Sequence, residues 1–84
     1  MSRQRRDTTR RYTYRPALLF TSAGALLGKC IVKDVSERGA RLVYSAAEEL
    51  SDQLLLTMGL DRQHCRVMWR HQKEVGVQFA TPKA

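Results

Sequence analysis

The stretch His64-Cys65-Arg66-Val67-Met68-Trp69-Arg70, followed by Val75-Gly76-Val77-Gln78-Phe79, decides the fold. In the first run Cys65, Val67 and Trp69 fall on one face and His64, Arg66, Met68 and Arg70 on the other. In the second, Val75, Val77 and Phe79 oppose Gly76 and Gln78. A period of two marks a strand with one buried face. His71-Gln72-Lys73-Glu74 between the runs predicts the turn of a hairpin.

Working back from that hairpin, residues 59–63 read as a polar loop, and residues 53–58 as a strand closed by Gly59. Residues 45–50 combine good helix formers with a possible cap at Ser45, enough for a short connector helix of about one or two turns. Residues 40–44 and 28–36 are rich in β-branched and alternating residues and predict a second hairpin turning at Glu37-Arg38-Gly39. Residues 17–21, after Pro16 and before the turn signal Ser22-Ala23-Gly24, predict the first strand. Six short strands separated by turn signals predict an all-β fold, a small six-stranded antiparallel barrel or sandwich, and closure would hide the sheet edges.

With 84 residues the chain has room for one domain and one modest core, which argues against a large buried active site. The net charge of +7 is uneven: Arg3, Arg5, Arg6, Arg10, Arg11 and Arg15 face only Asp7 within the first fifteen residues. This reads as a flexible basic arm over residues 1–15 preceding a barrel over 16–84. Such an arm suits a phosphate-bearing ligand, a nucleic acid or an acidic surface. Cys30 and Cys65 form no CxxC pair and each sits in an alternating apolar pattern, the setting of small buried hydrophobes with reduced thiols. No signal peptide and no membrane span are expected, which places the chain in the cytoplasm.

Arg6-Asp7-Thr8-Thr9-Arg10 and Asp34-Val35-Ser36-Glu37-Arg38-Gly39 together resemble the paired signature of the PilZ domain, in its single-domain form. The resemblance extends over nearly the whole chain, including the last hairpin. It implies a PilZ-type β-barrel that binds the second messenger cyclic di-GMP as a regulatory ligand, with no cofactor and no catalytic residue. Arginine forks match the O6 and N7 acceptors of guanine and bridge phosphates. Asp34 and Ser36, two apart on a strand, project to one face and offer acceptors to a guanine edge, while Val35 turns inward. Gly39 serves either a positive φ in the turn or close backbone approach to the ligand.

The ligand-binding set implied is therefore Arg5, Arg6, Arg10, Asp34, Ser36 and Gly39. Arg11 and Arg15 form a second arginine pair of the same spacing. Arginine at position 5 resembles the class of the family that takes two ligands per chain. Output would pass through the closed arm to a separate effector protein. Two readings compete with this one. A basic arm bearing Tyr12 and Tyr14 on a small barrel also suits single-stranded nucleic acid, although the charge stops at Arg15, so no DNA partner is expected. A ligand-free interaction module is the other. Catalysis is disfavoured because His64 and Cys65, adjacent on a strand, face opposite ways.

Overall fold

The computed structural model describes the backbone of residues 11–80 and the side chains of residues 13–80. Six strands, β1 (Arg11–Thr21), β2 (Leu26–Val35), β3 (Gly39–Val43), β4 (Gln53–Met58), β5 (Asp61–His71) and β6 (Glu74–Phe79), form a closed antiparallel barrel in the order β1-β2-β3-β6-β5-β4. The predicted fold class is the one observed. Leu19, Val32, Leu42, Leu54, Leu56 and Val75 are fully buried inside the barrel. Each comes from the inward phase of its strand, so the period of two in the sequence becomes a single core.

The boundaries differ from the sequence reading in three places. β1 begins at Arg11, six residues before the predicted start at 17, because Tyr12, Thr13 and Tyr14 are good strand formers despite the arginines around them. Pro16 lies inside this strand, opposite Ile31. It is tolerated because β1 meets β4 only from Leu18 onward, leaving that side of Pro16 without a ladder partner. The predicted loop at 59–63 shrinks to a tight turn at Gly59 and Leu60, with β5 already under way at Asp61. The connector is a single 3₁₀ turn, Ala47–Glu49, preceded by Ala46 with no side-chain cap, so Ser45 does not take the capping role.

A side chain from the barrel holds this connector in place. Arg70 Nη2 donates to the Leu50 carbonyl at 2.7 Å and to Asp52 Oδ1 at 3.2 Å. Ala47 and Leu50 are buried as members of the core cluster.

Cys30 and Cys65 are buried free thiols, as their apolar context predicts. Desolvation pushes the Cys30 thiol up to about 11 and Cys65 to about 12. Both are therefore protonated and unreactive at neutral pH. Alkylation by iodoacetamide at pH 8 is expected to proceed only as fast as the chain unfolds; fast labelling of the native protein would contradict the burial. The unfolded thiols titrate near their ordinary value of 9.0 and the folded ones higher, so the folded state holds more protons in between. Stability is full below that ordinary value and is lost as pH rises towards the folded values.

Candidate functional site

The segment 34–39 lies at the β2–β3 hairpin, and a bulge determines how its side chains face. Val32 pairs with Leu42 and Asp34 with Arg41, so Lys33 is an extra residue on β2. The bulge switches the strand's phase. Cys30 and Val32 point inward, but beyond Lys33 it is Val35, opposite Ala40, that packs against the core, and Asp34 turns to the outer face. Lys33 itself bonds Glu74 Oε2 at 2.7 Å, which holds that carboxyl below its usual range.

Asp34 is nevertheless 0% exposed. Arg41 Nε donates to its Oδ2 at 2.7 Å, and Arg41 Nη2 reaches the same oxygen. The carboxylate is thus partnered from within the sheet, and it presents the Arg41 guanidinium, a third exposed, to the outer surface. Arg41 was not among the residues singled out from the sequence. Its signal is its position two residues after Gly39, directly across the hairpin from Asp34.

Ser36 sits in the turn. Its N–H donates to the Gly39 carbonyl at 2.8 Å and its Oγ accepts from the Arg38 N–H at 3.3 Å, a local arrangement that fixes the bend. The β-turn places no positive φ on Gly39. The first of the two roles considered for this glycine is therefore not the one the fold uses. A Cβ at Gly39 would overlap the Val77 carbonyl oxygen, so glycine is required by the closeness of β3 to β6.

The largest departure from the sequence reading concerns Trp69. Val67 pairs with Val77 and Trp69 with Gly76, leaving Met68 as a bulged residue on β5. The alternation that places Trp69 beside Cys65 and Val67 breaks there. Cys65 and Val67 are buried, but Trp69 is 42% exposed on the outer face and Arg70 turns towards the core end. The indole lies across Gly76, where a Cβ would overlap its ring. Glycine in the strand therefore provides the seat for the tryptophan.

Cross-strand pairing now aligns one transverse row on the outer face: Asp34 on β2, Arg41 on β3, Gly76 on β6 and Trp69 on β5. Beside it is a shallow depression of about 230 Å³ lined by Ser36, Gly39, Arg41, Trp69 and Gln78, with Arg38 at its rim. It contains an aromatic face, guanidinium donors, a hydroxyl and an amide, the groups that stack on and hydrogen-bond a purine. The structure brings Ser36 and Gly39 into the lining of this depression, whereas Asp34 is not part of the lining and is linked to it through Arg41.

Arg5, Arg6 and Arg10 lie outside the described residues. The chain enters β1 at Arg11, opposite Val35, with Tyr12 opposite Asp34. Arg11 and Arg15 belong to β1, on either side of a register shift at which Tyr14 adopts φ 50°. A non-glycine residue in that region marks a locally strained bend.

Among the described residues, no three His, Cys, Asp or Glu side chains are grouped to hold a metal ion. No helix there is long and apolar enough to cross a membrane. No curated protein matches the sequence. A family model for the PilZ domain matches residues 4–84, covering the amino-terminal arginines from Arg5 onward as well as the whole barrel. With the six-stranded closed barrel and the 34–39 hairpin beside the strand that the arginines lead into, this places the chain in the PilZ domain family, a cyclic di-GMP binding family.

Proposed function

We propose that this chain is a cytoplasmic cyclic di-GMP sensor in which Arg5, Arg6 and Arg10 clamp the ligand against the outer-face row Asp34–Arg41–Gly76–Trp69, with Ser36 and Gly39 at its edge. The observation that carries the reading is the depression beside that row. At about 230 Å³ it is smaller than the ~300 Å³ lower bound for pockets that enclose a drug-sized ligand. It suits one base, and the rest of a dinucleotide needs donors from elsewhere. The arginines preceding Arg11 are the nearest such donors along the chain. A guanine stacks on the Trp69 indole with its edge towards Arg41 and Gln78, and the phosphates are neutralised by the arm. Arg41 delivers the influence of Asp34 by being held in one orientation.

Arginine at position 5 supports two ligands per chain. Ordering the arm changes the surface around the β1 entry, and that change is the signal passed to a separate effector protein.

Calorimetric titration of cyclic di-GMP into the wild-type chain and into Arg10→Ala, at low and high salt, tests the proposal. Saturable binding near two equivalents is expected, weakened about 10- to 100-fold by the substitution. A folded wild-type chain that takes up no ligand overturns the reading, and saturation at one equivalent overturns the stoichiometry.

A further inference from the structure

The opposite side of the barrel presents a second outer face of different character. On β1 the outward phase reads Pro16, Leu18, Phe20, and its cross-strand neighbours are Ile31, Lys29 and Leu26 on β2 and Thr57 and Leu55 on β4. Leu26 is 62% exposed, Ile31 38% and Leu18 37%. Leu55 is buried yet is not a member of the core cluster. Phe20, Gly24, Leu55, Thr57 and Arg62 enclose a dimple of about 180 Å³ in this face. Adjacent apolar side chains of this number on the outside of a barrel form a patch of the kind that marks an interaction site.

The charges in the central row of the patch have one sign. The row through its centre runs Lys29–Leu18–Thr57–Arg62 across β2, β1, β4 and β5, with a cation at each end. β1 and β4 contain no acidic residue, and the only one on β2 is Asp34, buried near the far end of that strand. The nearest acid in register is Asp61, at the start of β5 opposite Met58. A second copy of the chain would set Lys29 and Arg62 against cations of the same kind, and the arginine-rich amino terminus has the same charge. Like charges facing one another across an interface cost free energy, and complementary ones select the partner.

We infer that this face docks a protein segment that is acidic and apolar. A leucine or aromatic side chain would enter the Phe20–Leu55 dimple as the anchor, and carboxylates on either side would meet Lys29 and Arg62. A buried apolar anchor surrounded by polar contacts is the usual energetic plan of such interfaces.

The test is selection of a displayed random-peptide library on the immobilised full-length chain. Peptides are expected to be enriched in Asp or Glu next to Leu, Phe or Trp. Lys29→Glu combined with Arg62→Glu is expected to weaken their binding about tenfold or more without shifting thermal unfolding, because both side chains are exposed. Leu18→Glu should abolish it, and Arg10→Ala should leave it intact, which separates this face from the ligand site. Enrichment of peptides without acids, or equal binding to the charge-reversed chain, overturns the inference. Leu18-dependent dimerisation in sedimentation, or Leu18-dependent binding to vesicles containing phosphatidylglycerol, overturns it too by naming a different occupant.

Discussion

Gly39→Ala is expected to unfold at much lower urea than the wild-type chain, with a loss of about 3 kcal/mol, at the top of the usual range for forcing an extra carbon into a packed site. The obstacle is the backbone carbonyl of Val77, which has no rotamer to escape into. Relief requires β3 to move away from β6, and that movement strains the Gly39–Gln78 pairing and the bond from the Phe79 N–H to the Arg38 carbonyl, 2.7 Å long. A domain of this size has only about 5–15 kcal/mol in total, so the variant sits close to its threshold.

Gly76→Ala provides the comparison. There the obstacle is the Trp69 ring, a side chain on the outer face that can swing away. Its stability loss should be the smaller of the two. Its fluorescence change should be the larger, because Trp69 is the only tryptophan in the chain. Equal stability losses, or a Gly39→Ala chain as stable as wild type, would show that Gly39 is not fixed by strand proximity and return it to a role in ligand contact alone.

Arg41→Ala is expected to destabilise the barrel by a similar amount, about 3 kcal/mol, the lower end of what removing one partner of a buried ion pair costs. The lower end applies because Arg41 is 34% exposed, although Asp34 is fully buried. The substitution withdraws two donors from Asp34 Oδ2 in a place water does not reach. A double-mutant cycle with Asp34→Ala isolates the coupling. If the two losses simply add within about 0.5 kcal/mol, the pair is not the unit described above. In the ligand-binding reading the same variant also loses affinity, because it removes a guanidinium next to Trp69. Substitution by lysine should recover charge without the planar fork and restore little of either property.

Much of this chain is legible in its sequence because strands and turns are decided locally. The alternation of Val75, Val77 and Phe79 fixes β6 by itself, and the same is true of Leu54 and Leu56 in β4. The relation of the 34–39 segment to the hairpin is legible too, since Ser36 and Gly39 bond one another within four residues. The Trp69 orientation was within reach of a different count. A turn at Gln72 and Lys73 pairs His71 with Glu74 and hence Trp69 with Gly76, which lies in the outward phase between Val75 and Val77. That count conflicts with an inward Trp69 beside Val67, and the conflict is the signal of a bulge.

Composition and periodicity were sufficient to determine an all-β chain of six strands, and the resemblance carried by the two motifs pointed to its family. The facing of Trp69, and which residues of four strands stand in one row, were decided only by the tertiary structure. A bulge costs one residue and is invisible to a period of two, yet the ones at Lys33 and Met68 reverse every side chain beyond them. They turn Asp34 outward beneath Arg41 and Trp69 outward over Gly76, so the row of site residues exists only once β2, β3, β6 and β5 lie side by side. Register between strands far apart in sequence is set by how the whole barrel closes, and no local pattern contains it.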